Sequence, residues 1–210
     1  MASVKKFSRR ASYAQLRHIY REDKNPSNKD IDPARTHLNY DLTPERDCTP
    51  REYFDRRLAS VHVHQRSDIK TLFGWVITLP ADMPESSERP FFEACVAFLS
   101  RRYGAANLVA AVVHKDEAGQ PHIHTLIMPV VYDDKHVQGA KLCASQVLTR
   151  RELQRFHGAL QTFLTYGAKI NCSVNAGNTG AGWSVSEAKR ARERVMEMFG
   201  GSPSEWEVLR

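Results

Sequence analysis

The chain has 210 residues, 41% of them hydrophobic, which suits one sizeable domain with a real core. Its four cysteines (Cys48, Cys95, Cys143, Cys172) form no CxxC pair, which argues against a disulfide framework and a cysteine zinc site and suits a reducing cytoplasm. The net charge of +6 is that of the first 21 residues, which hold Lys5, Lys6, Arg9, Arg10, Arg17 and Arg21 and no acid; elsewhere the charges balance.

The basic start, MASVKKFSRR, has no apolar segment of the kind a secretory signal needs. It reads either as an arm for a polyanion, where phosphate contacts release counterions, or as a solvated, partly disordered beginning. Residues 1–60 are polar and turn-rich, as in NPSNKDIDP and LTPERDCTP. VHVH (61–64) alternates histidines but has no acidic partner and reads as a strand fragment; His37, His62 and His64 receive no role. LFGWVITLP (72–80) is apolar and β-prone and stops at Pro80, so it is a predicted strand. ERPFFEACVAFLSRRYG (88–104) is a predicted helix, with Pro90 in its first turn, a stripe of Phe92, Cys95, Leu99 and Tyr103, and Gly104 as its stop.

NLVAAVVH (107–114) and HIHTLIMPVVY (122–132) read as two strands joined into a hairpin by KDEAGQP. TRRELQRFHGALQTFLTYG (149–167) is the clearest helix, with a capping box of Thr149 and Glu152 and an apolar face of Leu153, Phe156, Leu160, Phe163 and Leu164. GNTGAG reads as a connector to a last basic helix opened by a capping box of Ser184 and Glu187. No apolar run reaches the roughly 20 residues of a membrane span. The pattern predicts an α+β domain, an antiparallel sheet with helices on one face.

The hairpin tip, HKDEAGQPHIH, carries the chemistry. Alternate residues of a strand share a face, so His122 and His124 point the same way, and His114 can face them across the hairpin. Three converging imidazoles make a metal site; the other reading is a polar tip rich in histidine. Imidazole suits zinc, manganese, iron, copper or nickel and does not name the ion. Asp116 and Glu117 on the turn can orient an imidazole or handle a proton. No HExxH motif is present, which excludes a zincin-type protease.

Upstream lie HIYR (18–21) and SNKDIDPARTHLNYDL (27–42). With HKDEAGQPHIH, they resemble in order the three motifs of the Mob/Pre relaxases: HxxR, then SNxDIxPxRxxLNYxL, then HxDE followed by PHxH. The turn between Glu117 and Pro121 is one residue longer than in some members. The resemblance, over residues 15 to 165 or so, implies an HUH endonuclease fold: a central antiparallel sheet flanked by helices. It implies nicking of one DNA strand at a transfer origin with a covalent 5′-phosphate adduct. It also implies a divalent ion, manganese before magnesium or zinc, on His114, His122 and His124. His18 is then the nucleophile and Glu117 its partner.

Arg21 is a candidate phosphate clamp or a solvated charge. Tyr20 is the rival nucleophile; on the residues alone it ranks level with His18. Lys5, Lys6, Arg9, Arg10, Arg35, Asn39 and Tyr40 are the DNA-contact candidates, with further arginines at 46, 51, 56, 57 and 66. The expected partner is origin-of-transfer DNA, single-stranded at the nick and beside a hairpin, with relaxosome or coupling proteins as further partners. Residues 1–175 are expected to form the catalytic domain and 176–210 the connector and final helix. Two other functions stay open: a rolling-circle replication initiator and a non-catalytic origin-binding module.

Overall fold

LVAAVVH is apolar at every position before its histidine, and such a strand needs cover on both faces. The computed structural model describes residues 2–23, 28 and 30–174 and supplies that cover. Its elements are β1 (Ala2–Ser8), α1 (Arg9–Ile19), a 3-10 turn (Pro33–Leu38), β2 (Tyr40–Asp41), α2 (Pro50–Ala59), β3 (Lys70–Thr78), α3 (Glu88–Tyr103), β4 (Leu108–His114), β5 (His122–Ile127), β6 (Val130–Tyr132), β7 (Ala140–Leu142), α4 (Ala144–Val147) and α5 (Arg150–Thr162). A π-turn, Phe163–Gly167, follows α5. The architecture is α+β: a five-stranded antiparallel sheet ordered β1-β3-β5-β4-β2, flanked by helices, with β6 and β7 as a separate ribbon. The expected connector and final helix, including Ser184 and Glu187, lie outside the described residues.

Helices cover both faces, which corrects the one-face reading. On one face, α3 and α5 bury Phe92, Cys95, Leu99, Phe156 and Leu160 against Phe73, Trp75, Val113 and Ile123. On the other, Leu16 and Ile19 of α1 and Phe54 and Leu58 of α2 pack on Leu72, Ala110, Val112 and Leu126. So few apolar anchors per helix are easily lost among charges, which is why residues 1–60 looked structureless. Helix α2 also has a complete capping box, Thr49 with Glu52, and Pro50 in its first turn.

The N-terminal arm is an edge strand. β1 pairs antiparallel with β3 from Ala2↔Ile77 to Ser8↔Lys70. Ala2 and Val4 enter the α3/α5 core, while Ser3, Lys5 and Phe7 turn to the other face. Its lysines guard an otherwise open sheet edge. The predicted strand 122–132 also divides. It ends at Ile127, because Pro129 has no N–H for the ladder, and the chain turns away into β6.

The expected capping box on α5 is half made. Thr149 Oγ1 accepts from Glu152 N at 3.1 Å, but the Glu152 carboxylate faces α3. There it accepts from Arg102 Nε and Nη2 at 2.7 and 2.8 Å and from Tyr103 Oη at 2.7 Å. Arg102 is nearly buried, so its charge needs that partner more than the helix end does. Beside this pair, the rings of Trp75 and Phe156 stack at 3.4 Å and 7°. Phe156→Ala empties a fully buried position and is expected to lower unfolding free energy by about 3–5 kcal/mol. Urea denaturation followed by tryptophan fluorescence measures this; an unchanged midpoint would contradict the packing argument.

Candidate active site

β5 lies at the centre of the sheet, so side chains on its faces are shielded. His122 and His124 point to the face covered by α1, and the ladder sets His114 of β4 directly opposite His122. Ring centroids of His114 and His124 are 4.5 Å apart, and those of His122 and His124 are 4.9 Å apart. Glu117 joins them: one ligand atom from each of His114, Glu117, His122 and His124 lies within 4.8 Å of the others. The extra turn residue is absorbed beyond Glu117, where Gly119 takes φ +96.

The state of these rings suits a cation. His114 is fully buried, and its Nε2 lies 2.9 Å from the Ile19 carbonyl. A carbonyl only accepts, so Nε2 donates to it and Nδ1 is turned towards the cluster. Burial, then the neighbouring His114 and His122, lowers the His124 pKa to about 2, and burial lowers that of His122. Glu117 is held well below the usual carboxylate range, first by its hydrogen bond with His114 and then by Arg21, against its burial. Neutral imidazoles beside a carboxylate are the protonation states a metal ligand set requires. His124 Nε2 is buried with no hydrogen-bond partner, and its unprotonated form would offer a bound cation an orphaned lone pair.

His18 reaches this cluster from the last turn of α1. Its ring centroid is 5.9 Å from that of His124 and 6.1 Å from that of His114. Its Nε2 is 3.9 Å from Glu117 Oε1. Helix α1 ends in a Schellman motif: Glu22 N donates to Arg17 O at 2.9 Å and Arg21 N to His18 O at 3.2 Å. Glycine is usual at the position Arg21 fills, and Arg21 adopts φ +55 there. Its guanidinium stabilises that conformation. Nε and Nη2 grip Asp116 at 2.9 and 2.6 Å, Nη2 also meets Glu117 at 2.8 Å and His114 Nδ1 at 3.1 Å, and Nη1 donates to the His18 carbonyl at 3.1 Å. Arg21 is thus turned to the hairpin and not to the open cleft where a phosphate clamp would point.

Asp116 is the anchor of this arrangement, and sequence reasoning gave it only a general part. Its side chain is fully buried and also accepts from Thr36 Oγ1 at 3.0 Å, while its carbonyl accepts from Asp32 N at 2.7 Å. Burial would raise its carboxyl pKa, but hydrogen bonds from Arg21 and Thr36 outweigh that and hold it at about 2. Asn39 Oδ1 accepts from Lys115 N at 2.7 Å. The stretch 32–39 is therefore stitched to the hairpin, which is the structural part that DPARTHLN plays. Tyr20 goes elsewhere. Its hydroxyl lies 2.9 Å from Thr43 Oγ1, and burial pushes its pKa up, so the structure does not bring it into the cluster.

A family model described as plasmid recombination enzyme matches residues 1–192. The chain belongs to this Mob/Pre family. It is 32% identical over 189 residues to a plasmid recombination enzyme of Lactiplantibacillus plantarum, covering 86% of this chain and 50% of that protein. With one from Bacillus thuringiensis the identity is 31% over 142 residues, covering 65% and 30%. The chain thus spans about half the length, or less, of these curated relatives. Among solved structures it is similar to a MobM relaxase domain, manganese-bound at pH 6.8 on plasmid pMV158 oriT DNA. That match has 28% identity and a TM-score of 0.69, over 91% of this chain and 97% of that one.

In this Mob/Pre chain the cleft beside the cluster, of about 240 Å³, is lined by Lys5, Phe7, Gln15, His18, Gly74, His124 and Leu126 among others. Gly74 leaves it open: a Cβ there would stand 2.8 Å from the Thr125 carbonyl oxygen and 3.1 Å from Phe7. Gln15 was not anticipated; only its position, one helical turn before His18, could have signalled it. The DNA-contact candidates scatter. Lys5 lines the cleft, whereas strand alternation sends Lys6 to the opposite face. Arg9, Arg10 and Arg35 are exposed, and Tyr40 is half-buried with its hydroxyl donating to Glu88 at 3.2 Å. Arg46 donates to the carbonyls of Val109 and Leu108, and Arg57 to Asn107, so both brace the fold. Arg56 and Arg66 pair with Asp47 and Asp68, and Arg51 lies over the Tyr13 ring.

Asp116 has a folded pKa depressed from 3.8, so its stabilisation is present above 3.8 and lost as pH falls towards 2. Asp116→Asn is expected to lower stability at neutral pH by about 3 kcal/mol. The gap to wild type should close on acidification through that window. Chemical denaturation across pH measures it, and a gap that persists at low pH would contradict the assignment.

Proposed function

We propose that this chain is a relaxase domain that nicks one strand of plasmid or mobile-element transfer-origin DNA by transesterification on His18 and can rejoin it. The observation that carries the reading is the convergence of His18 from α1 with the His114–Glu117–His122–His124 cluster at the edge of one cleft. The substrate follows from the MobM complexes, whose DNA is a plasmid oriT. Those complexes also support manganese over magnesium or zinc as the ion, with His114, His122 and His124 as its ligands and Glu117 beside them. When bound, the ion would polarise the phosphoryl oxygens and offset the negative charge that grows on them.

The chain's own residues account for the rest. An unprotonated ring nitrogen of His18 attacks phosphorus, the bond to the 3′ oxygen breaks, and that oxygen leaves and takes up a proton. The 5′ phosphate stays on the ring as a phosphoramidate, which conserves the energy needed to rejoin the strand. Burial, then Arg21, lowers the His18 pKa, so the ring is an available nucleophile at neutral pH. Once the N–P bond forms the ring carries positive charge, and the Glu117 carboxylate at 3.9 Å offsets it. Arg21 acts as a positioning residue, holding the His18 carbonyl and Glu117 from one guanidinium. Lys5 in the cleft and the exposed Arg9, Arg10 and Arg35 supply backbone contacts that orient the strand. Asn39 and Tyr40 serve that contact indirectly by bracing the loop. We further assign residues 1–175 to the catalytic unit and 176–210 to its extension, acting in the bacterial cytoplasm with relaxosome or coupling proteins. Among the described residues no helix is long and apolar enough to cross a membrane.

Nicking of supercoiled origin DNA with manganese tests this. His18→Ala is expected to lose activity by roughly 10³-fold or more, as nucleophile removals do. Tyr20→Phe should stay active, and the adduct should be acid-labile and alkali-stable. An acid-stable adduct abolished by Tyr20→Phe would move the nucleophile. Activity on a replication origin alone would favour the rolling-circle alternative, and specific binding without nicking the non-catalytic one. Because the His18 pKa lies below 6.5, the acid limb of the rate profile should also fall below pH 6.5. A limb centred above that value would exclude His18 as the titrating nucleophile.

A further inference from the structure

One other group among the described residues brings metal-ligating atoms together. His62, His64 and His136 each offer a ring nitrogen, all within 4.8 Å of one another. None of them belongs to the cluster around His18. His62 and His64 come from the VHVH stretch between α2 and β3, and His136 from the turn between β6 and β7. The acidic partner that VHVH lacks locally arrives with that turn: Asp133 Oδ2 is 4.0 Å from His136 Nε2.

The backbone of this group is fixed from several sides. His62 N donates to Ala140 O at 2.8 Å, and Leu142 N donates to His62 O at 2.9 Å, so His62 is clamped to β7. Arg66 N donates to His64 O at 2.9 Å. His136 N donates to Asp133 O at 3.3 Å and Gly139 N to His136 O at 2.8 Å, with Gly139 at φ +65 closing the turn. The ligand positions are therefore held by the fold, and only the rings need to adjust.

The rings of His62 and His136 stack at 4.0 Å and 7°, and His64 meets His62 edge-on at 4.8 Å. Stacked rings point their lone pairs side by side, so one ring must turn for all three to converge. His64 is exposed and His136 sits in a turn, which leaves room for that rotation. Among the described residues, no protein group hydrogen-bonds the ring nitrogens of His62 or His64. The neutral imidazole ring is the metal-binding form. Lys141, the one ammonium facing the group from β7, is already paired with Asp133, whose Oδ1 also accepts from Lys135 N at 2.9 Å.

We propose that His62, His64 and His136 form a second metal site, for a first-row transition cation of the zinc, nickel or copper type. Three nitrogen donors with no carboxylate among them suit such ions and disfavour magnesium or calcium. A water completes the coordination. The bound ion clips the α2–β3 connector to the β6–β7 ribbon, joining segments about seventy residues apart and so restricting the unfolded chain.

The test is Zn²⁺ stoichiometry on the metal-stripped whole chain, by elemental analysis and calorimetry. Wild type should bind two equivalents. The double variant His122→Ala/His124→Ala should keep one, and adding His64→Ala should remove it. His64→Ala alone should fall from two to one while its manganese-dependent nicking stays at the wild-type level. His64 is exposed, so this loss could not arise from misfolding, and an unchanged thermal midpoint without metal verifies that. A wild type that binds one equivalent, or a His64→Ala chain that still binds two, would overturn the proposal.

Discussion

Arg21 and Asp116 meet across 95 positions of the chain, and the geometry of the candidate site depends on that meeting. One partner closes α1 and the other opens the β4–β5 turn. Both are nearly withdrawn from water, with side-chain exposures of 12% and 0%. A lone charge in either place would be costly to bury, so each makes the other tolerable. Once paired, they bring the rest into position. The same guanidinium reaches Glu117 and the His18 carbonyl, and the same carboxylate takes Thr36. His18, the hairpin and the stretch 32–39 thus share one electrostatic node.

This node explains why an arginine occupies a backbone position that favours glycine. At φ +55 a side chain is penalised on its own, by an amount on the order of 1–2 kcal/mol. Here the side chain makes five polar contacts that a glycine could not. The strain sits beside His18, at the final turn of α1, and keeps the helix from running on.

Much of this was legible in the chain itself, because some signals are local. HIH on a strand, a third histidine opposite and the capping Thr149 are matters of spacing. The long motif at 27–42 carried the family resemblance, and with it the expectation of His18 ahead of Tyr20. Other features were hidden because their causes are distant. β1 is too charged to look like a strand until β3 is beside it, and its apolar anchors are only Ala2 and Val4 on one face and Phe7 on the other. The Glu152 carboxylate leaves its own helix end for Arg102, which lies fifty residues upstream. The acidic neighbour of His64's cluster comes from a turn some seventy residues downstream. Lys5 and Lys6 are adjacent in sequence and on opposite faces in space, which no charge count distinguishes.

The strand order also has a bearing on how the molecule is made. β1 pairs with β3, β3 with β5 and β5 with β4, so β1 docks only after residues 70–78 exist. His18 in turn meets no histidine cluster until residues 114–124 have followed. Such long-range pairings fold slowly and leave edges open while they wait. During synthesis the end of α1 is therefore present long before the hairpin that fixes it, so the geometry around His18 belongs to the completed sheet alone.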